Sequence, residues 1–233
     1  MKKIFWITMC LLILSCNVCN VNAMETGQVE QRHVIATTYY IDSSGIVRNW
    51  CGDAVELPSR AVDISSGIYG TESNSVHNVA AVLEDGSLYV WGNNVDGCLI
   101  SGLPEVIEKP TRVDGIEGVL SVSLGDGYGF IALTDSGKVY CMDSTYKKPT
   151  FISQLKNITA VCKGGGYAAV TVDGDLYTWG DDTGFSNGYG LEQKNNSSVP
   201  IKVDIPPVKA VARNTRMGLA VTEDGDLYTW RCV

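Results

Sequence analysis

The chain has 233 residues and a net charge of −8, from 26 acidic and 18 basic side chains. That balance argues against a nucleic-acid reader: neutralising phosphates takes a basic face, and no Lys/Arg run is longer than Lys147-Lys148. The length suits one large core or an array of small ones, and low charge with 25 glycines and 11 tyrosines suits an all-β protein.

Residues 1–23 read as an export signal, in which Lys2 and Lys3 precede an apolar run from Ile4 to Leu14. The run is too short for a comfortable permanent membrane span. Two processing outcomes are written after it. Val21-Asn22-Ala23 fits a general signal peptidase, and Ile13-Leu14-Ser15-Cys16 resembles a bacterial lipobox that would leave Cys16 lipidated. Residues 24–33 are a short linker and residues 34–233 a repeat domain. The expected location is secreted or cell-envelope, with membrane contact only through an N-terminal lipid. Loss of Lys2 and Lys3 makes the mature chain more acidic still.

From residue 34 onward one phrase recurs. It runs Tyr39 to Cys51 (Y-Y-I-D-S-S-G-I-V-R-N-W-C), Ala81 to Gly92 (A-V-L-E-D-G-S-L-Y-V-W-G), Ile131 to Met142, Ala168 to Gly180 (A-A-V-T-V-D-G-D-L-Y-T-W-G) and Leu219 to Trp230. Each copy reads as a β-hairpin. β-Branched and aromatic runs with period 2 flank a dipeptide such as Asp173-Gly174, which suits a two-residue type I′ turn. Trp50, Trp91, Trp179 and Trp230 share one motif position, with Met142 in the remaining slot. One aromatic per unit at a fixed strand position reads as packing between units. The copies recur at roughly 40–50 residues, the period of propellers and similar arrays.

Each hairpin has two companions. Upstream lie the apolar or alternating runs Val62 to Gly67, Val119 to Gly125, Ile158 to Gly164 and Val208 to Arg213; downstream lie strands led by Pro110, Pro149 and Pro200. Proline is tolerated at a strand's start. Four strands per unit is the arithmetic of a propeller blade. The five cysteines after the leader, Cys51, Cys98, Cys141, Cys162 and Cys232, have no C-x-x-C spacing, so a zinc site is not indicated. They read as small buried hydrophobes, and export would permit a disulfide whose pairing the sequence leaves open.

The phrase Trp91-Gly92-Asn93-Asn94-Val95-Asp96-Gly97-Cys98-Leu99 resembles the regulator of chromosome condensation repeat family, whose hairpins end in Trp-Gly and continue x-Asn-x-x-Gly-Gln-Leu-Gly. Cys98 replaces the glutamine and Ile100 the last glycine, while Trp179-Gly180-Asp181-Asp182 begins the same phrase. The resemblance covers nearly all of Val34 to Trp230. It implies an all-β propeller of four-stranded antiparallel blades used mainly to bind other proteins. Where relatives often carry a His opening the first hairpin strand, this chain has Asn78, Gly129, Gly166 and Met217. Founding members exchange guanine nucleotide on a small GTPase and bind chromatin, which an exported acidic chain would not meet. An exported bacterial member inhibits a β-lactamase through loops on one propeller face, a nearer analogy.

No catalytic motif surrounds His33 or His77, the two histidines. The spacing from Gly174 to Trp179 departs from the Asp box of sialidase-type propellers. Asn93 to Gly97 and Asp181 to Gly184 lack the full calcium-loop pattern and read as turn chemistry. The sequence therefore indicates no enzyme, metal or cofactor. The leading reading is a protein-interaction module outside the cytoplasm; a carbohydrate-binding or hydrolytic propeller is the alternative, and nucleotide exchange the third. Candidate partner-binding residues lie in variable loops, chiefly the insertion Ile68 to Asn78 with Tyr69, Glu72 and His77, extended by Tyr128 and Tyr167. The protein partner is unknown. Five hairpins with a worn first copy predict four to five blades in an open or truncated ring. Such an arc exposes apolar end faces and invites association with another copy.

Overall fold

The computed structural model describes residues 17–20, 39–69, 76–125, 129–144, 146–181, 187–188 and 197–231. Expectations that fall on Cys16, the linker, Glu72, Tyr128 and Cys232 lie outside these residues. β1 (Asn17–Asn20) falls within the sequence read as a leader. Then come β2 (Tyr39–Ile41) and β3 (Val47–Asn49), followed by β4 (Ala61–Tyr69), β5 (Val76–Leu83), β6 (Leu88–Asn93) and β7 (Val106–Arg112). The third set is β8 (Val119–Leu124), β9 (Phe130–Thr134), β10 (Val139–Met142) and β11 (Thr150–Phe151). The fourth is β12 (Ile158–Lys163), β13 (Gly166–Thr171), β14 (Leu176–Gly180) and β15 (Ile201–Lys202). The last is β16 (Val208–Arg213), β17 (Met217–Thr222) and β18 (Leu227–Arg231).

These strands form five antiparallel sheets, four of them four-stranded, as the hairpin copies predict. The apolar runs upstream of each hairpin become the inner strands β4, β8, β12 and β16. Each has a register irregularity near its start, at Ala61/Asp63, Val119/Ser121, Ile158/Ala160 and Val208/Ala210. A bulge repeated in four blades gives each sheet the same local twist. In the first sheet β2 and β3 alone pair as strands among the described residues, with a bridge from Arg48 to Ala54. The fifth sheet has the order β1-β16-β17-β18, so β1 takes the edge of β16 that β4, β8 and β12 leave without a strand. Among the described residues no strand pairing joins the first sheet to the last, and the arc is open.

The turns differ from the sequence expectation. Gly174 N–H donates to Thr171 C=O and Thr171 N–H to Asp175 C=O, with Gly174 at φ 80°. Asp173 does not have positive φ, so Val172-Asp173-Gly174 is a three-residue loop, a type I turn closed by a left-handed glycine, and not a type I′ turn. The other four hairpins repeat this bonding at Gly45, Gly86, Gly137 and Gly225.

Side chains alternate between the two neighbouring sheets. In β14, Leu176 joins a core with Val208, Val211 and Ala220 of the next sheet, while Trp179 joins one with Leu133, Val139 and Cys141 of the preceding sheet. The tryptophan side thus always looks back along the chain, and the leucine side looks forward. Trp91 and Trp179 are buried, as the fixed motif position predicts, and Trp230 is half-buried against the fourth sheet. Trp50 departs from the expectation and is exposed; among the described residues no earlier sheet packs against it. Cys98, Cys141 and Cys162 are buried, and Cys51 is exposed.

Candidate interaction face

Each sheet has two ends, and the chain treats them differently. At one end the three-residue turns are stitched into the scaffold. The carbonyls of Gly45, Gly86 and Gly174 accept from Ala61, Val119 and Val208, the first residues of the following inner strands. The amides of Glu84, Asp135, Val172 and Glu223 donate to Arg60, Gly118, Asn157 and Pro207, which lead into their own sheets. A turn committed on both sides has no freedom to vary in length. The opposite end carries all the variation, from the two glycines 164–165 between β12 and β13 to residues 181–200 between β14 and β15.

Two buried polar constructions hold that variable end in place. The first is Asn94, fully buried after β6. Its Nδ2 donates to Ile100 C=O (2.9 Å) and Pro104 C=O (3.0 Å), and its Oδ1 accepts from the amides of Leu99 and Ile100, each at 2.9 Å. A carboxamide has both donors and acceptors, so one side chain pins both limbs of the loop. Asp96 at φ 57° and Gly97 at φ 69° then supply the left-handed turn, the turn chemistry expected of this segment. Cys98 lies beneath, and burial pushes its thiol pKa up. We expect Asn94→Ala to cost on the order of 2 kcal/mol by leaving buried backbone groups unpaired. Limited proteolysis should show new cleavage between residues 95 and 104; unchanged protease resistance would remove Asn94 from this role.

The second construction lies at the ends of β12 and β16. Lys163 and Arg213 occupy the same repeat position and are both buried. Lys163 Nζ donates to Gly164 C=O (3.2 Å) and Gly165 C=O (3.0 Å) and stands 4.4 Å from the Tyr167 ring centroid. Arg213 donates to Tyr167 C=O (2.7 Å) and Asn187 Oδ1 (3.0 Å). Tyr167 stacks on Trp179 with centroids 5.4 Å apart, and its hydroxyl donates to Asp143 Oδ2. Burial lowers the Lys163 pKa to about 8, and the neighbouring Arg213 charge adds to this against the opposing effect of Asp143. Burial likewise raises Tyr167 well above its ordinary range and Tyr146 to about 12. These groups are enclosed and serve as anchors. Among the described residues no group of three His, Cys, Asp or Glu side chains converges as a metal site, and no helix is long and apolar enough to cross a membrane.

Of the candidate residues, Tyr69, His77 and Tyr167 lie among those described. Tyr69 is the last described residue of β4 before the insertion. His77 is half-buried in β5 opposite Ile68, and its Nδ1 is buried without a hydrogen-bond partner. Tyr167 requires correction: it is a buried strand residue. The link before it is only Gly164-Gly165, so the chain is already in β13 at Tyr167, on the side that faces the preceding sheet. Sequence reading passed over Lys163 and Arg213, although a lysine closing the run I-T-A-V-C and an arginine at the same position of the next unit were a usable signal.

The Regulator of chromosome condensation (RCC1) repeat family matches residues 85–132. Over 207 residues the chain is 30% identical to the ultraviolet-B receptor UVR8 of Arabidopsis thaliana, covering 79% of this chain and 44% of the receptor. Over 178 residues it is 31% identical to the human Regulator of chromosome condensation, covering 73% of this chain and 32% of that protein. The chain thus spans less than half the length of these two relatives. Among solved structures, yeast RCC1 (Prp20), crystallised with Kap60 bound, superposes with a TM-score of 0.65 at 18% identity, over 83% of this chain and 53% of that one. At this identity the likeness speaks to the fold.

Proposed function

Because the chain carries regulator of chromosome condensation repeats, we propose that it is a protein-interaction module acting outside the cytoplasm, with no catalysis of its own. The observation that carries the reading is the asymmetry of the sheets: one end is locked into the scaffold by repeated backbone hydrogen bonds, and the other carries variable loops on buried anchors. Recognition placed on variable segments held by a rigid frame is a general division of labour. Kap60 bound to yeast RCC1 supports a protein as the partner class. The apolar run behind Lys2 and Lys3 supports the location.

The test is affinity capture from secreted and envelope fractions, followed by charge reversal at the exposed loop-end residues Asp96, Asp181 and Arg216. Binding to the captured partner should weaken at least about tenfold, a change of ~1.4 kcal/mol. Reversal at Glu84 and Asp135, on the turn end, should leave it unchanged. Retention of a defined glycan with no protein partner would favour the carbohydrate-binding alternative. The likeness to the human regulator supports nucleotide exchange as a further reading, which release of labelled GDP from a small GTPase would reveal.

A further inference from the structure

The side chains of the third sheet that look back along the chain begin in a core and end in a cavity. Phe130, Ala132 and Met142 join the core shared with the second sheet, and Tyr140 packs against its margin. Beyond them, near the turn end, lies a cavity of about 360 Å³, at the small end of the range for ligand sites. Thr134, Ser136, Lys138 and Tyr140 line it from the third hairpin, and Gly115 and Glu117 line it from the link into β8. The hairpin side is rigid, because Lys138 N–H donates to Thr134 Oγ1 (3.1 Å), which shares a further hydrogen bond with Ser136 Oγ (3.0 Å). Asp135 N–H donates to Gly118 C=O (2.8 Å) and so fixes the hairpin against the link.

The charged groups here are uncommitted. Among the described residues neither Glu117 nor Lys138 has an ion-pair partner, and no hydrogen bond holds the Tyr140 hydroxyl. The outer strand also breaks the repeat at this place. Tyr89 is paired with Arg112 and Tyr177 with Lys202, but Tyr140 is paired with Phe151, which is 44% exposed with its ring centroid 5.7 Å from that of Tyr140. A carboxylate and an ammonium on one cavity favour neither a net anion nor a net cation. They suit a neutral ligand rich in hydroxyls, each of which can donate to Glu117 or accept from Lys138. The aromatic pair asks in addition for an apolar face. A pyranose ring has both, with hydroxyls around its edge and C–H groups on a face.

We propose that this cavity between the second and third sheets is a binding site for a neutral saccharide. The sugar lays its apolar face on Tyr140 and Phe151 and bonds through its hydroxyls to Glu117, Lys138 and Ser136. This goes beyond the protein-partner reading above, because it concerns a different ligand class and makes no use of the loop end.

The test is saturation-transfer NMR on the full chain with the methyl glycosides of glucose, galactose, mannose and N-acetylglucosamine, followed by calorimetric titration of the strongest binder. At least one should bind, and more tightly than hyaluronate or chitosan fragments, the anionic and cationic counterparts. Glu117 and Phe151 are exposed, so Glu117→Gln and Phe151→Ala should leave the circular dichroism spectrum unchanged. Glu117→Gln should weaken binding about tenfold, the worth of one charge-assisted hydrogen bond. Phe151→Ala should weaken it about threefold through loss of the exposed ring. Binding by none of the four glycosides would overturn the proposal. So would binding that both variants leave unchanged, or tighter binding of either charged fragment. Charge reversal at Asp96, Asp181 and Arg216 should not change saccharide binding, and Glu117→Gln should not change binding of a captured protein partner, so failure of one reading is distinguishable from failure of the other. A saccharide lost with the loop-end reversals would place its site elsewhere.

Discussion

Gly125→Val is expected to prevent folding or to destabilise the protein by at least about 3 kcal/mol. A Cβ at Gly125 would lie 2.1 Å from Gly164 O, 2.8 Å from Gly164 C and 2.9 Å from Lys163 Cγ. The first two are backbone atoms of the neighbouring inner strand and cannot turn aside as a side-chain rotamer would. Similar contacts run along the arc, because a Cβ at Gly67 would meet Gly125 O at 2.3 Å and one at Gly164 would meet Asn214 O at 2.6 Å. Inner strands approach backbone to backbone here, and Ser65 and Ser123 add to the seam by accepting from the amides of Leu124 and Lys163, each at 2.9 Å. A control is Gly102→Ala, where φ is 86° but a Cβ would meet nothing within 4 Å. It should cost about 1 kcal/mol, for backbone strain alone. Urea midpoints for the two variants decide the matter. Equal, small losses would mean that the sheets can separate enough to admit a side chain.

The second large effect is a pH dependence carried by Lys163. Its folded pKa of about 8 lies below the ordinary 10.5, because burial penalises the ammonium. The groups around it are Tyr167, Asp143, Arg213, Cys141 and Asp181. Between pH 8 and 10.5 the unfolded chain holds a proton that the folded chain has released. Lys163 therefore makes stability rise with pH across that window, while below pH 8 its full penalty is present. Cys98, Cys141, Tyr146 and Tyr167 act in the opposite direction, since their raised folded pKa values mean that the unfolded state loses protons first at high pH. The clean observable is the difference between the parent chain and Lys163→Met. From pH 7.5 to 10.5 the parent should gain up to about 3 kcal/mol relative to the variant. Parallel stability curves would mean that Lys163 keeps an ordinary pKa in the folded state.

The sequence made the repeated sheets legible because the information is local. A β-branched run, an Asp-Gly turn and Leu-x-x-Trp determine which residues pair and which faces they present, and Trp91 and Trp179 lie where that pattern puts them. Trp50 departs from that pattern because burial in an array belongs to the neighbour as much as to the residue. Identical tryptophan positions become core or surface according to whether another sheet packs against them from the preceding side. The turns differ from the type I′ expectation because Asp-Gly suits both a two-residue and a three-residue loop, and the distinction rests on whether the aspartate or the residue before it begins the turn. Tyr167 is buried because the insertion Ile68 to Asn78 has no counterpart at Gly164-Gly165, and the chain there is already in its strand. Asn94 stood in plain view within the family phrase, but its hydrogen bonds to residues 99–104 cannot be read from spacing.

The pairing of β1 with β16 sets two fates of the same four residues against each other. Asn17 lies opposite Arg213 and Asn20 opposite Ala210, so this strand waits for a partner that the ribosome makes much later in synthesis. A leader must be extended and unpaired to be threaded through a membrane, and a peptidase needs the same freedom. Export that begins while the chain is growing finds residues 17–20 with nothing to pair with. Export that waits for a finished chain must first peel them from the fifth sheet. On the export reading, cleavage after Ala23 would remove the strand and leave β16 as an inner edge like those of β4, β8 and β12. Cleavage before Cys16 keeps it, and would tether the lipid one residue from the edge of a sheet. On the export reading proposed above, the site of cleavage would decide whether the fifth sheet has three strands or four.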